Sequence, residues 1–222
     1  MVDKIVNFCK LNLALNSVEY AEPYLSPNVC IIDCVYSLRA KYFQVTVPIV
    51  KRYAERFMRG SKLASGYTLN DLINHIEDSG GTQAFASEIL KNKQQLSGRL
   101  KSDICYELAR KLRLLKIETI EDFNNFENTE ILEITISSVK GIGSAGLNYL
   151  FMLAGDPDRC KPDVHIHRFI YDAIGENVTD EECQTLLTDA VKILKKEYSN
   201  ITVRTLDSII WNKHQIGNKQ GV

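Results

Sequence analysis

Two short stretches carry residue types that could act on a phosphodiester chain or a glycosidic bond. The first is Val139-Lys140-Gly141-Ile142-Gly143-Ser144-Ala145-Gly146. Its glycines permit positive φ and let a ligand come close to the backbone. A helix that begins at Ser144 would point unsatisfied amides and the positive end of its dipole outward, which suits a phosphate. Lys140 adds a positive charge beside that turn. The second stretch is Pro162-Asp163-Val164-His165, which sets one carboxylate at the start of the next helix. Each also has a plain structural reading. Glycines serve any tight turn between helices, and Pro-Asp before a helix is ordinary capping chemistry. Their order is more specific than either part: a hairpin, one short helix, a loop, then Asp-x-His opening a further helix.

The elements that must hold these residues read almost entirely as helix. Asp3 to about Leu15 forms a first helix, ended by Glu22-Pro23 and Ser26-Pro27. Ser26 is an N-cap with Pro27 at the first helical position, and the apolar run Val29 to Arg39 reads as a buried helix. Lys41 to Thr46 reads as a connecting turn, and Pro48 starts a helix to Arg59 that Gly60 stops. Thr68 with Asp71 caps Leu69 to Glu77, and Gly80-Gly81 is a turn. Thr82 to Lys93 is amphipathic. Ser97-Gly98 breaks it, and Arg99 to Leu115 is a long basic helix. Thr119 to Phe126 is short and acidic, and Thr129 to Ser138 leads into the hairpin. Beyond it come Ser144 to Ala154, Val164 to Ile174 closed by Gly175, Thr179 to about Tyr198 with Glu182 completing a capping box, and a last helix capped by Thr202. No alternating run is long enough for a sheet, so the expected class is all-α.

The chain has 222 residues, 45% hydrophobic and 25% charged, which is enough for one large domain or two small ones. No apolar run approaches the length of a membrane span. The N-terminus lacks the basic-then-apolar order of a secretory signal, so an intracellular setting is expected. The six cysteines form no C-x-x-C pair, and they read as free, buried thiols. Net charge is −1, which argues against a protein dedicated to nucleic acid. Its distribution works the other way. Eight basic residues between Lys91 and Lys116 face only Asp103 and Glu107, and an acidic block from Glu118 to Glu133 follows. Such a chain can present a basic face while staying near neutral, although solvated helix faces would look the same.

The order hairpin, helix, Asp-x-His resembles the helix-hairpin-helix DNA glycosylases, the HhH-GPD superfamily that includes endonuclease III, adenine glycosylase and 8-oxoguanine glycosylase. Val139-Lys140-Gly141-Ile142-Gly143 is similar to that family's L-P-G-V-G. Pro162-Asp163-Val164-His165-Ile166-His167-Arg168 is similar to its V-D-x-H-x-x-R. Val35-Tyr36-Ser37-Leu38-Arg39-Ala40 resembles its early L-L-S-x-Q-T segment, and Leu206-Asp207 with Ile210-Trp211 resembles its closing helix. The likeness runs over residues 28 to 215 and is sharp over 139 to 169.

The resemblance implies two helical subdomains flanking a DNA-binding cleft. The parts would be residues 28–128 as one subdomain, 129–169 as the hairpin and catalytic region, 1–27 with 170–216 as the second subdomain, and 217–222 as a loose tail. It implies that a damaged or mismatched base is flipped out of double-stranded DNA. Asp163 would be the essential carboxylate, stabilising oxocarbenium character as the base leaves and helping to activate water. Lys140, Gly141, Gly143 and His165 would contact phosphate. The carbonyls of Ser137, Val139 and Ile142 would hold a monovalent cation, potassium or sodium. Arg39 stands where many members carry the glutamine that fills the gap left by the flipped base. Tyr149, one turn past Ala145, and Tyr36 are candidates for the base pocket, with core packing as the competing role for both.

Two departures qualify the likeness. Bifunctional members carry a lysine two residues past the second hairpin glycine, and here that residue is Ala145. The four-cysteine cluster motif is absent, so no iron–sulfur cluster is implied. The expected activity is therefore release of a base by water, in a monomer, without strand cleavage through a lysine. The competing expectation is a helix-hairpin-helix protein that binds or recognises DNA structure with little or no glycosylase activity. A helical interaction domain with no nucleic-acid role has only the composition behind it. The expected location is the cytoplasm or nucleoid of a prokaryote, or a eukaryotic nucleus.

Overall fold

A computed structural model describes residues 1–16 and 22–217. Among them, twelve α-helices and one hairpin of two-residue strands make up the regular structure, so the chain is all-α. None of these helices is long and apolar enough to cross a membrane. The chain folds as two compact units, each with its own core. One, the hairpin unit, is Pro23–Gly155; the other, the terminal unit, joins Met1–Glu22 to Asp156–Val222. The boundary between residues 155 and 156 falls inside the 129–169 stretch, so the hairpin belongs to one unit and Asp163 to the other. Of the expected tail, 218–222 lies outside the described residues, and Gly217 ends the last helix.

The hairpin unit is built on α2, Pro27–Ser37, in which every residue is buried. Val29, Ile32 and Val35 meet Ile49, Leu72, Ile104, Leu108, Leu132, Ile136 and Leu150 from the surrounding helices. Each such aliphatic side chain contributes about 1.5–3 kcal/mol by leaving water. Around α2 stand α3 (Val47–Phe57), α4 (Leu69–Asp78), the short α5 (Thr82–Ala84), α6 (Lys101–Leu114), α7 (Ile120–Asn124), α8 (Thr129–Ser137) and α9 (Ser144–Ala154). Thr68 with Asp71 and Thr119 with Asp122 form reciprocal capping boxes on α4 and α7.

Three segments differ from the sequence expectation. The turn expected over Lys41 to Thr46 is a π-helical turn, Tyr42–Thr46, continuous with α3. The helix expected from Thr82 to Lys93 is α5 followed by a second π-helical turn, Phe85–Ile89. Ser97-Gly98 does more than break a helix. With both residues at positive φ, it joins β1 (Gln95–Leu96) to β2 (Arg99–Leu100), the geometry of a two-residue hairpin turn.

In the terminal unit α1 (Val2–Asn12) packs against α10 (Val164–Ile174) and α11 (Asp180–Leu194), and α12 (Val203–Gly217) packs against both of those. Its core contains Ile5, Cys9, Ile166, Phe169, Ile170, Leu187, Val191, Leu194, Leu206 and Ile210. Thr179 with Glu182 caps α11 as expected, and Gly175 closes α10 in the left-handed conformation.

Candidate functional site

The hairpin is α8, a tight turn and α9. Within the turn the Ile142 N–H donates to the Val139 carbonyl at 3.0 Å, and both side chains are buried. Gly141 sits at φ +112°, and a Cβ there would lie 3.0 Å from Ile104 Cδ1 on α6. That position needs glycine both for its backbone and for its close packing. Gly143 is different. It is the N-cap of α9 with φ −97°, no side-chain cap, and nothing within 4 Å of where a Cβ would stand. Lys140 beside it is exposed. On α6, Lys111 reaches over to donate to Ser138 Oγ at 2.8 Å.

The first turns of α9 lie on α2. A Cβ at Gly146 would stand 3.2 Å from Leu38 Cδ1, and the Cys34 thiol donates to the Gly146 carbonyl at 3.2 Å. This contact brings the Arg39 segment to the hairpin. Arg39 is exposed and sits at φ +52°, a conformation uncommon for a residue with a Cβ. What holds it there was not foreseen from the sequence. Lys101 on α6 is 2% exposed, and its ammonium donates to the carbonyls of Leu38 at 2.8 Å and Tyr36 at 3.1 Å and to Gln94 Oε1 at 3.2 Å. A cation on the last carbonyls of a helix satisfies acceptors that have no intrahelical partner and complements the negative end of the dipole.

Tyr149 is half-buried on α9, and its hydroxyl donates to Asp33 Oδ1 at 3.0 Å. Asp33 is fully buried on α2 and also accepts from Tyr24 at 2.7 Å and Tyr42 at 2.8 Å, both on Oδ2. Burial first, then the Asp33 charge, push all three tyrosines well above their ordinary range, so each hydroxyl keeps its proton and donates. Sequence reading named Tyr149 but missed Asp33. The signal was available in retrospect as a carboxylate in the middle of an otherwise apolar helix. Tyr36 is fully buried under the Lys101 ammonium, 5.7 Å from its ring centroid, and has no solvent-facing edge.

In the terminal unit, Asp163 is the N-cap of α10. Its Oδ1 accepts the amides of His165 at 2.8 Å and Ile166 at 3.4 Å. His165 is half-buried and Arg168 exposed on the same helix. Close by, Asp207 on α12 is buried and accepts the Lys161 N–H at 2.9 Å. Burial first, opposed by that hydrogen bond and reinforced by the Asp163 charge, pushes the Asp207 carboxyl up to about 7.

Two other clusters have less to offer. His167 Nε2 lies 2.7 Å from Asp180, and the Cys183 sulfur lies 3.4 Å and 3.9 Å from the two ring nitrogens. Burial pushes the thiol up to about 12, so this is not a poised nucleophile. All six cysteines are free and buried. A cavity of about 390 Å³ in the hairpin unit, lined by Glu77, Arg99, Asp103, Tyr106 and Glu107 among others, contains none of the residues singled out from sequence.

The fold and these residues define an all-helical protein of two units, with a tight glycine turn between two helices in one and a capping carboxylate in the other. The chain belongs to the family described as Domain of unknown function (DUF8548), whose model matches residues 3–215. No curated protein and no solved structure matches it.

Proposed function

We propose that the chain is a helix-hairpin-helix DNA glycosylase of the HhH-GPD type, releasing a damaged or mismatched base from double-stranded DNA by hydrolysis. The observation that carries the reading is the glycine turn between α8 and α9, where Gly143 is an N-cap without a side-chain bond and a Cβ there would meet nothing within 4 Å, room that suits a backbone phosphate. Lys140, Gly141 and Gly143 are the proposed grip on one phosphate, with His165 on another. Arg39, exposed at a left-handed position, is the proposed gap filler, and Tyr149 the proposed edge of the base pocket.

Asp163 is the proposed catalytic carboxylate. Its two amide donors orient the group at the start of α10. A carboxylate so held stabilises the positive charge that develops on the sugar as the base leaves, and accepts a proton from the attacking water. Ala145 supplies no amine, so no covalent sugar adduct is part of this mechanism. The neutral carbonyl oxygens of Ser137, Val139 and Ile142 suit a monovalent cation. Val139 accepts one hydrogen bond and retains a second lone pair, and such an ion would stiffen the turn and add positive charge near the phosphate.

The test is a panel of duplexes carrying alkylated, deaminated, oxidised or mismatched bases. Asp163→Asn keeps a good N-cap and should fold. The expected result is base release from at least one duplex, abolished in this variant while DNA binding persists, with no borohydride-trapped adduct. Binding to duplexes without release from any would instead favour a DNA-binding module, the reading to which the near-neutral charge and Ala145 also lean.

A further inference from the structure

Lys161 is held at both of its main-chain groups. Its N–H donates to Asp207 Oδ1 at 2.9 Å, and its carbonyl accepts the Asp163 N–H at 2.7 Å. Asp207 is fixed by α12, whose neighbouring residues Leu206 and Ile210 are fully buried. Asp163 is fixed by the first turn of α10. The turn between them is therefore clamped from two helices, and the two carboxyls lie close enough for one charge to act on the other.

We propose that Asp207 is the positioning residue for Asp163, setting the 161–163 turn through the Lys161 amide so that the Asp163 carboxylate keeps one orientation. This inference rests on the glycosylase reading of Asp163. A protonated Asp207 still accepts the Lys161 amide on its carbonyl oxygen, more weakly than the ionised carboxylate does. A neutral Asp207 also spares Asp163 a like charge nearby. Groups that face Asp207 are Cys160 and Lys161 from the loop before α10 and Asp163 at its N-cap. From α11, Cys183 couples to Cys160, with Asp180 and Glu182 beside Cys183. Lys161 favours the ionised form of Asp207, while burial and Asp163 oppose it, burial being the largest effect.

The experiment compares wild type, Asp207→Ala and Asp207→Asn in single-turnover base release, duplex affinity and thermal melting from pH 5.5 to 8.5. Amide NMR signals of Lys161 and Asp163 are followed over the same range. Misplacing a reacting group by about an ångström costs on the order of 100-fold. Asp207→Ala should therefore lower the release rate by about 10- to 100-fold with duplex affinity within about twofold. Asp207→Asn keeps the acceptor and should restore most of that rate. The two amide signals should titrate with a midpoint near 7 in wild type and be flat in Asp207→Asn.

Unchanged release in Asp207→Ala would overturn the proposal, as would loss confined to affinity, or Asp207→Asn as slow as Asp207→Ala. Wild-type amides that do not titrate would overturn it too. If Asp207→Ala does not fold, Asp207→Asn and the wild-type titration still decide. If wild type releases no base from any duplex, the glycosylase reading fails, and the amide titration separately reports whether Asp207 controls the turn at Asp163.

Discussion

The Lys101 ammonium donates to the Leu38 carbonyl at 2.8 Å, across 63 residues of sequence, and so closes the helix that ends just before Arg39. It is almost fully buried, among carbonyls and the Gln94 amide oxygen. A lysine in that setting is unsuited to attack anything. Its role is to terminate α2 and aim the next residue outward.

Lys101→Met retains the aliphatic stem and removes the donor. The carbonyls of Tyr36 and Leu38 are then left without their partner in the interior. Hydrogen bonds from a charged group contribute about 1.5–3 kcal/mol each, and orphaned acceptors add to the loss. Urea denaturation should show a loss of about 2–4 kcal/mol. A loss under about 0.5 kcal/mol would mean that water replaces the ammonium and that the clamp on the Arg39 segment is not real.

The carboxylate of Asp33 and its three tyrosines give a ranking rather than a single value. Tyr24 is buried and closer, at 2.7 Å, whereas Tyr149 is half-buried at 3.0 Å. Removing a hydroxyl that serves a buried charge costs about 1–3 kcal/mol, with more expected where water cannot enter to replace it. Tyr24→Phe should thus destabilise more than Tyr149→Phe. The double variant should depart from additivity, because both hydroxyls serve one carboxylate. Equal and additive losses would deny that the cluster acts as a unit.

His75 provides a pH signature for the hairpin unit. Its ring stacks on Phe57 at 3.9 Å, and Nδ1 lies 3.0 Å from the Tyr53 hydroxyl. Burial lowers its pKa below the usual 6.5, with Asp71 and Asp78 opposing. A base depressed on folding binds fewer protons in the native state than in the unfolded one. Stability therefore rises with pH up to about 6.5 and falls as pH drops through the window below it. Asp207 contributes the opposite slope over the same range, so the His75 contribution is read as a difference: between pH 5 and 8, stability should gain more with rising pH in wild type than in His75→Gln. An identical slope in the variant would assign the acid sensitivity elsewhere.

Much of the helical framework was legible because its signals are local. Thr68 with Asp71, Thr179 with Glu182, Asp163 and Gly175 each act within one turn, and their helices begin or end where those residues place them. The hairpin was legible for the same reason. What stayed hidden depends on distant partners. Nothing near Lys101 in sequence says that its ammonium meets carbonyls on α2, and nothing near Asp33 announces Tyr149. The π-helical turns at Tyr42–Thr46 and Phe85–Ile89 replace a plain turn and the later part of a helix. An added residue per turn leaves little trace in a periodic pattern. The pairing of Asp207 with the Lys161 amide likewise joins residues 46 apart, so the sequence offers Asp207 only as part of the segment that resembles the closing helix.

The two hairpin glycines allow folding and binding to be separated. Gly141→Ala must hold a Cβ at φ +112° and 3.0 Å from Ile104 Cδ1. Backbone strain of that kind costs about 1–3 kcal/mol, so this variant should be destabilised as well as weakened in DNA binding. Gly143→Ala meets no such barrier, since its φ is −97° and the space around the new methyl is empty. Glycine is the better N-cap, so the variant should lose no more than about 1 kcal/mol. If a phosphate approaches the start of α9 through that empty space, the methyl group obstructs it. Duplex affinity should then fall about tenfold, equivalent to about 1.4 kcal/mol, in a protein of nearly normal stability. Normal affinity in Gly143→Ala would remove the hairpin from the DNA interface, and with it the observation on which the glycosylase reading stands.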